Sequence, residues 1–183
     1  DASLSAASAH LEALSDRETA AALRQASEML QQARHVWIMG FGLSAHLAAI
    51  LALGLEPYRD GILNVVQYGG TEVAAGRLMA ADQGDVVVAI SFPRYSNDVI
   101  QLARMARATG ARLIALTDSP AAPLAQVCDQ LLIAPAQHPV LPSSCLPGLA
   151  LIEALVSQFL MSDPAHVERA KRLAASMAAY LSD

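Results

Sequence analysis

The sequence predicts an α/β fold, a doubly wound five-stranded parallel sheet in the order 2-1-3-4-5, flanked by helices. Three observations predict it. Short apolar runs alternate with helical patterns at the spacing of βαβ units. The runs are continuous rather than alternating, as in Val86-Val87-Val88-Ala89-Ile90, which suits strands covered on both faces. The length, 183 residues, suits one domain with a sizeable core, and no internal repeat or low-complexity tract interrupts it. For five strands, 2-1-3-4-5 is the common doubly wound solution.

Residues 1–15 are small and polar and read as a linker or disordered lead-in, ahead of a domain over 16–183. Asp16 to Ala33 reads as a helix with Ala20, Leu23, Ala26 and Leu30 on one face. His35 to Gly40 is a short apolar strand, β1. Ser44 to Leu55 is a helix, and Gly61 to Gln67 is β2. A helix over Thr71 to Ala80 ends near Asp82-Gln83-Gly84. Asp85 to Ser91 is β3. Ser96 to Thr109 is a helix closed by Gly110, a natural residue just past a helix end. Arg112 to Thr117 is β4, a short helix lies near Pro123 to Cys128, and Gln130 to Ala134 is β5. Pro135, Pro139, Pro142 and Pro147 mark an irregular loop. Helices over Gly148 to Met161 and Asp163 to Leu181 finish the chain.

Composition narrows the function classes. Hydrophobic residues make up 54% and charged residues 16%, and mean hydropathy is +0.36. Both lean apolar, so the sheet is covered on both faces or some surface is hidden in an oligomer. No run reaches the ~18 apolar residues of a membrane helix, and no membrane partner is expected. The formal net charge of −5 argues against this domain gripping nucleic acid itself. Cys128 and Cys145 show neither CxxC nor metal-type spacing, and read as free thiols in a reducing, cytoplasmic setting. Five scattered histidines give no legible metal site, and no cofactor is expected. The chain begins at Asp1 with neither a methionine nor a signal-like segment, so a further N-terminal domain is an expectation.

The stretch Ser91-Phe92-Pro93-Arg94-Tyr95-Ser96 carries the most chemistry. It places two hydroxyls and a guanidinium where a buried strand gives way to a helix. Such a junction offers unpaired N–H groups and the positive end of a helix dipole. An arginine there can fork onto two phosphate oxygens. In the order 2-1-3-4-5 the chain reverses between β1 and β3, and ligands collect at such a switch point. The loop after β1, Gly40-Phe41-Gly42-Leu43-Ser44, therefore converges on the same cleft. It fits GxGxxA, a dinucleotide pattern. However, β2 ends in Val65-Val66-Gln67-Tyr68, without the acid that would hold a ribose. Each residue also has an ordinary role: Ser44 and Ser96 as helix caps, Ser91 bonding backbone at a strand end, Arg94 as a solvated cation. Their convergence in two facing loops favours an anion.

These residues carry a family resemblance. GFGLS after β1, then DVVVAISFPRYSNDVIQLARMARATGARLIALTD, then SPAAPLAQVCDQLLIAP resembles a sugar isomerase (SIS) domain, over about residues 16–182. The form SFPRYS resembles the sugar-sensing domains of RpiR-type transcriptional regulators. The resemblance implies a phosphorylated sugar as ligand, with Ser44, Ser91 and Ser96 at the phosphate-binding hydroxyl positions and Gly42 beside them. The common second loop reads Ser-x-Ser-Gly-x-Thr. Here Pro93 and Arg94 take the second hydroxyl and the glycine, Ser96 replaces threonine, and Arg94 compensates by charge. The resemblance also implies a homodimer or homotetramer, with a neighbour contributing to each cleft. DNA would be contacted only through a helix-turn-helix part N-terminal to Asp1.

The alternative is a stand-alone phosphosugar isomerase. Moving a proton between neighbouring carbons needs a base. Glu56 falls near a carboxylate that enzymes of the family use, and Glu72 follows β2 near the cleft. Glu56 also reads as a helix-end surface acid and Glu72 as a partner of the helix dipole. His46 and Glu72 are sugar-contact candidates. Glu153 reads as an exposed helix residue, Ser143 and Ser144 as caps, and Asp118 as a turn former. With no convincing acid–base pair, no catalytic residue is assigned and a binding module is the leading reading.

Overall fold

The structure, a computed structural model, describes residues 1–181. Residues 182 and 183, the end of the expected domain, lie outside the described residues. The elements in chain order are α1 (Ala2–Ala13), α2 (Arg17–Gln32), β1 (Val36–Gly40), α3 (Leu43–Leu55), β2 (Ile62–Asn64), α4 (Thr71–Leu78), β3 (Val86–Ile90), α5 (Asn97–Ala108), β4 (Arg112–Thr117), a 3₁₀ turn (Pro123–Gln126), β5 (Gln130–Ile133), α6 (Leu146–Met161) and α7 (Pro164–Leu181). The five strands are parallel, in the order β2-β1-β3-β4-β5. The fold is therefore the predicted α/β doubly wound sheet.

Successive strand residues point to opposite faces. Val36, Ile38, Val86, Val88, Ile114 and Leu116 join one core with α2, α3 and α6. Trp37, Met39, Val87, Ala89, Leu113 and Ala115 join the other with α4 and α5. Both faces are covered, which is why central strand β3 is apolar at every position. Among the described residues no single helix is long and apolar enough to cross a membrane.

The structure corrects the sequence reading at three places. Residues 1–15, expected as a linker or disordered lead-in, are helical over Ala2–Ala13. Alanine favours helix intrinsically, and the Asp1 carboxylate caps the first turn by accepting from Ser3 N–H at 3.0 Å. No residue of α1 is buried, so no apolar stripe announces it. β2 stops at Asn64 rather than Gln67, because Arg77 Nη1 reaches back and donates to the Asn64, Val65 and Gln67 carbonyls. The short helix after β4 is a single 3₁₀ turn.

The N-terminal edge of the sheet is tied by one carboxylate. Asp85, just before β3, is fully buried. It accepts from Trp37 Nε1 at 3.1 Å, Asp82 N–H at 3.1 Å, His35 N–H at 3.2 Å and Arg34 Nε at 3.2 Å. Burial pushes its pKa up, but these hydrogen bonds outweigh burial and hold it below the ordinary carboxylate value.

Candidate functional site

The register β1–β3 pairs Val36 with Val86 and Gly40 with Ile90. The two strands end side by side, so the loops that follow them emerge as neighbours. This is where an open α/β sheet takes its ligands.

Gly40 lets α3 start hard against the strand end. A Cβ there would sit 2.4 Å from the Ser44 carbonyl oxygen, and a backbone atom cannot give way. Gly42 follows at φ +57°, a conformation that favours glycine. It brings no side-chain cap to α3; instead Ser44 and Ala45 N–H turn back onto the Phe41 and Gly42 carbonyls, at 3.1 Å each. We predict that Gly40→Ala lowers stability by about 1–3 kcal/mol, the cost of overpacking, and weakens ligand binding by shifting the first turn of α3. Urea denaturation and a binding titration check this; unchanged values in both would contradict it.

A cleft of about 390 Å³ opens at this junction, within the size range of small-ligand sites. Gly42 and Ser44 line it from the first loop, Phe92 and Arg94 from the second, and Leu141 and Ser143 from the loop after β5. Arg94 is the one charged lining residue. Its side chain is exposed and makes no hydrogen bond or ion pair among the described residues. Ser44 is buried, and its hydroxyl likewise bonds no described residue. A cation, an uncommitted hydroxyl and the positive end of α3 thus share a cleft whose lining holds no carboxylate. That set suits a small anion, and above all a phosphoryl group. A second cleft, about 380 Å³, lies between the start of α2 and edge strand β5, but Asp16 and Glu18 in its lining repel anions.

Ser91 and Ser96 take a different place. Ser91 is buried, and its Oγ accepts from Ser96 N–H at 3.3 Å. Ser96 Oγ caps α5 by accepting from Val99 N–H at 3.5 Å. Neither lines the cleft; both shape the loop that presents Arg94. Tyr95, which sequence reading passed over, fastens the loop from behind: its hydroxyl donates to Asp118 Oδ1 at 2.8 Å. Burial, then the Asp118 hydrogen bond and charge, push the Tyr95 phenol up to about 12, so it stays a donor at neutral pH. Asp118 thus does more than form a turn. Under the loop, Phe92 packs on α6, where a Cβ at Gly148 would lie 2.9 Å from its ring.

The other candidates stand outside the cleft lining. His46 is exposed on α3, and Glu72 is exposed in the first turn of α4. Glu56 caps the far end of α3, exposed, about 18 Å along the helix from Ser44 at 1.5 Å per residue. Glu153 lies on α6 beside Ile50 and Gly54 of α3, in an outer groove. Leu141 and Ser143 were not foreseen as lining. Their only signal was the proline-marked loop, which fixes no direction.

Comparison with known proteins agrees with this architecture. A profile of the SIS domain matches residues 29–163. Among solved structures, the sugar isomerase domain of an RpiR transcription factor from Sphaerobacter thermophilus superposes with a TM-score of 0.75 at 24% identity, covering 90% of each chain. The Vibrio vulnificus NanR protein complexed with ManNAc-6P gives 0.82 at 22% identity, covering 99% of this chain and 69% of that one. Phosphoheptose isomerase GmhA from Neisseria gonorrhoeae gives 0.64 at 22% identity, covering 75% and 85%.

Proposed function

The chain belongs to the SIS domain family, and from that premise we propose that it is the phosphosugar-binding effector domain of a transcriptional regulator. The observation that carries this reading is the cleft that joins Ser44 to Arg94 with no carboxylate in its lining. The likeness to NanR, whose structure holds ManNAc-6P, and to an RpiR transcription factor supports it. On this reading the phosphoryl group docks on the α3 N-terminus, Ser44 and Arg94, while Ser91 and Ser96 build the loop that holds Arg94. The domain works in the cytoplasm as a homodimer or homotetramer, and DNA is reached only through a separate N-terminal part. Leu43, Ile50 and Leu53 on α3 leave apolar surface that such an assembly would cover. Ligand binding then biases one arrangement of subunits over another.

The test is calorimetric titration with hexose, pentose and N-acetylhexosamine phosphates, with NMR of the sugar in parallel. Binding without interconversion is expected. No binding by any member overturns the reading. An aldose–ketose conversion would favour the isomerase alternative; Thr71 donates to Asp98 in the first turn of α5, at 2.7 Å, which sets the start of α4, and with it Glu72, beside the start of α5. Loss of turnover in Glu72→Gln or Glu56→Gln would then name the base.

A further inference from the structure

The third wall of the cleft is a loop, and one imidazole nitrogen holds it. Residues 136–144 leave the sheet after β5 and return to the start of α6. Ser144 N–H donates to the Ala136 carbonyl at 2.8 Å and closes the base of the loop. Above that base, Val140 N–H and Leu141 N–H both donate to His138 Nδ1, at 3.0 and 2.7 Å. Among the described residues, 137–143 make no other hydrogen bond. Pro139 and Pro142 fix φ on either side of the two donors. The segment so held carries Leu141, Pro142 and Ser143, which line the cleft together with Ser44 and Arg94.

An imidazole nitrogen accepts hydrogen bonds only when it carries no proton. Both bonds therefore require a neutral ring with its proton on Nε2. Protonation places an N–H on Nδ1, facing two other N–H groups, and both bonds are lost. Among the described residues no charged side chain lies within hydrogen-bond or ion-pair distance of the His138 ring, and the charged group lining the same cleft is Arg94. His138 is partly exposed, so solvent protons reach it.

We propose that His138 is a positioning residue of the ligand cleft: its neutral imidazole holds residues 140–143 in place as a wall, and protonation releases that wall and weakens binding. The consequence for binding rests on the phosphosugar reading above; the latch itself does not.

Two arms test it on the full chain. Nitrogen-15 NMR of the imidazole is expected to show the Nε2–H form at pH 7.5. The Val140 and Leu141 amide signals are expected to move together with the His138 imidazole signals as pH is lowered. In the second arm, ManNAc-6P is titrated at pH 7.5 and 5.5. At pH 7.5, His138→Phe is expected to bind about tenfold more weakly, the equivalent of the two lost bonds. His138→Asn keeps an acceptor for the N–H two residues on. It is expected to bind like the parent at pH 7.5 and to lose less affinity at pH 5.5, where its residual loss measures the phosphate's own protonation near pH 6. An Nδ1–H form at pH 7.5, or amides that ignore the titration, overturns the latch whatever the chain binds. Equal affinities in all three chains overturn its link to the cleft. Amides that move with the imidazole in a chain that binds none of the sugar phosphates of the panel above support the latch and overturn the phosphosugar reading, and with it the consequence for binding.

Discussion

Arg94→Ala is expected to weaken phosphosugar binding by about 10- to 100-fold and to leave the fold intact. The guanidinium lines the cleft, is exposed, and has no partner among the described residues. Its removal therefore strands no group in the folded chain, and stability should change by no more than about 0.5 kcal/mol, as at ordinary surface positions. In the complex the same group would fork onto phosphate oxygens. A hydrogen bond to a charged group contributes about 1.5–3 kcal/mol, which is the quoted range in affinity. Arg94→Lys should fall between the two, because an ammonium keeps the charge but not the planar fork. Calorimetric titration of the three chains, with urea denaturation as the control, decides this. An unchanged dissociation constant in Arg94→Ala would contradict it.

At the opposite edge of the sheet, Asp85→Ala should lower stability by about 3–5 kcal/mol, because it strands three N–H donors at about 1–3 kcal/mol each, while half-exposed Arg34 keeps its salt bridge to Asp82. The substitution leaves Trp37 Nε1, Asp82 N–H and His35 N–H facing no acceptor, each at a desolvation cost. A pH signature accompanies it. The Asp85 pKa is lowered in the folded chain, so its stabilisation is fully present above the unfolded carboxylate value of about 3.9. It is lost as pH falls through the lower folded value. The stability gap between parent and variant should hold from pH 7 to about 4 and narrow only in stronger acid. Because Asp85 lies at the sheet edge away from the cleft, the folded fraction of the variant should bind ligand with parental affinity. A gap below about 1 kcal/mol, the worth of one ordinary hydrogen bond, or one that closes already near neutral pH, would contradict this account.

Some of this site was legible in residue order and some was not, for physical reasons. β3 is apolar at every position, and β4 is apolar over Leu113–Leu116, because helices cover both faces, and that pattern is local. The order of the strands then placed Gly40–Ser44 beside Ser91–Ser96, and the β1–β3 register bears that out. Contacts across long separations stayed hidden. Tyr95 meets Asp118 and Arg77 ends β2 through side chains whose reach no periodicity records. Ser91 and Ser96 each spend a lone pair on the loop's own backbone, which residue order does not record, because the same residue types serve a strand-to-helix loop whether they bond it or an anion. Helix α1 was missed because alanine and serine form helix without an apolar stripe. The loop over 136–144 was marked by its prolines, but its direction depends on where an imidazole lone pair points.

The most direct test of the central claim is a crystal structure of the chain with a bound phosphosugar. The phosphoryl oxygens are expected within about 3.2 Å of Ser44 Oγ and the Arg94 guanidinium, at the N-terminus of α3. A phosphoryl group held elsewhere, or held in this cleft with Ser44 and Arg94 both out of reach, would contradict it.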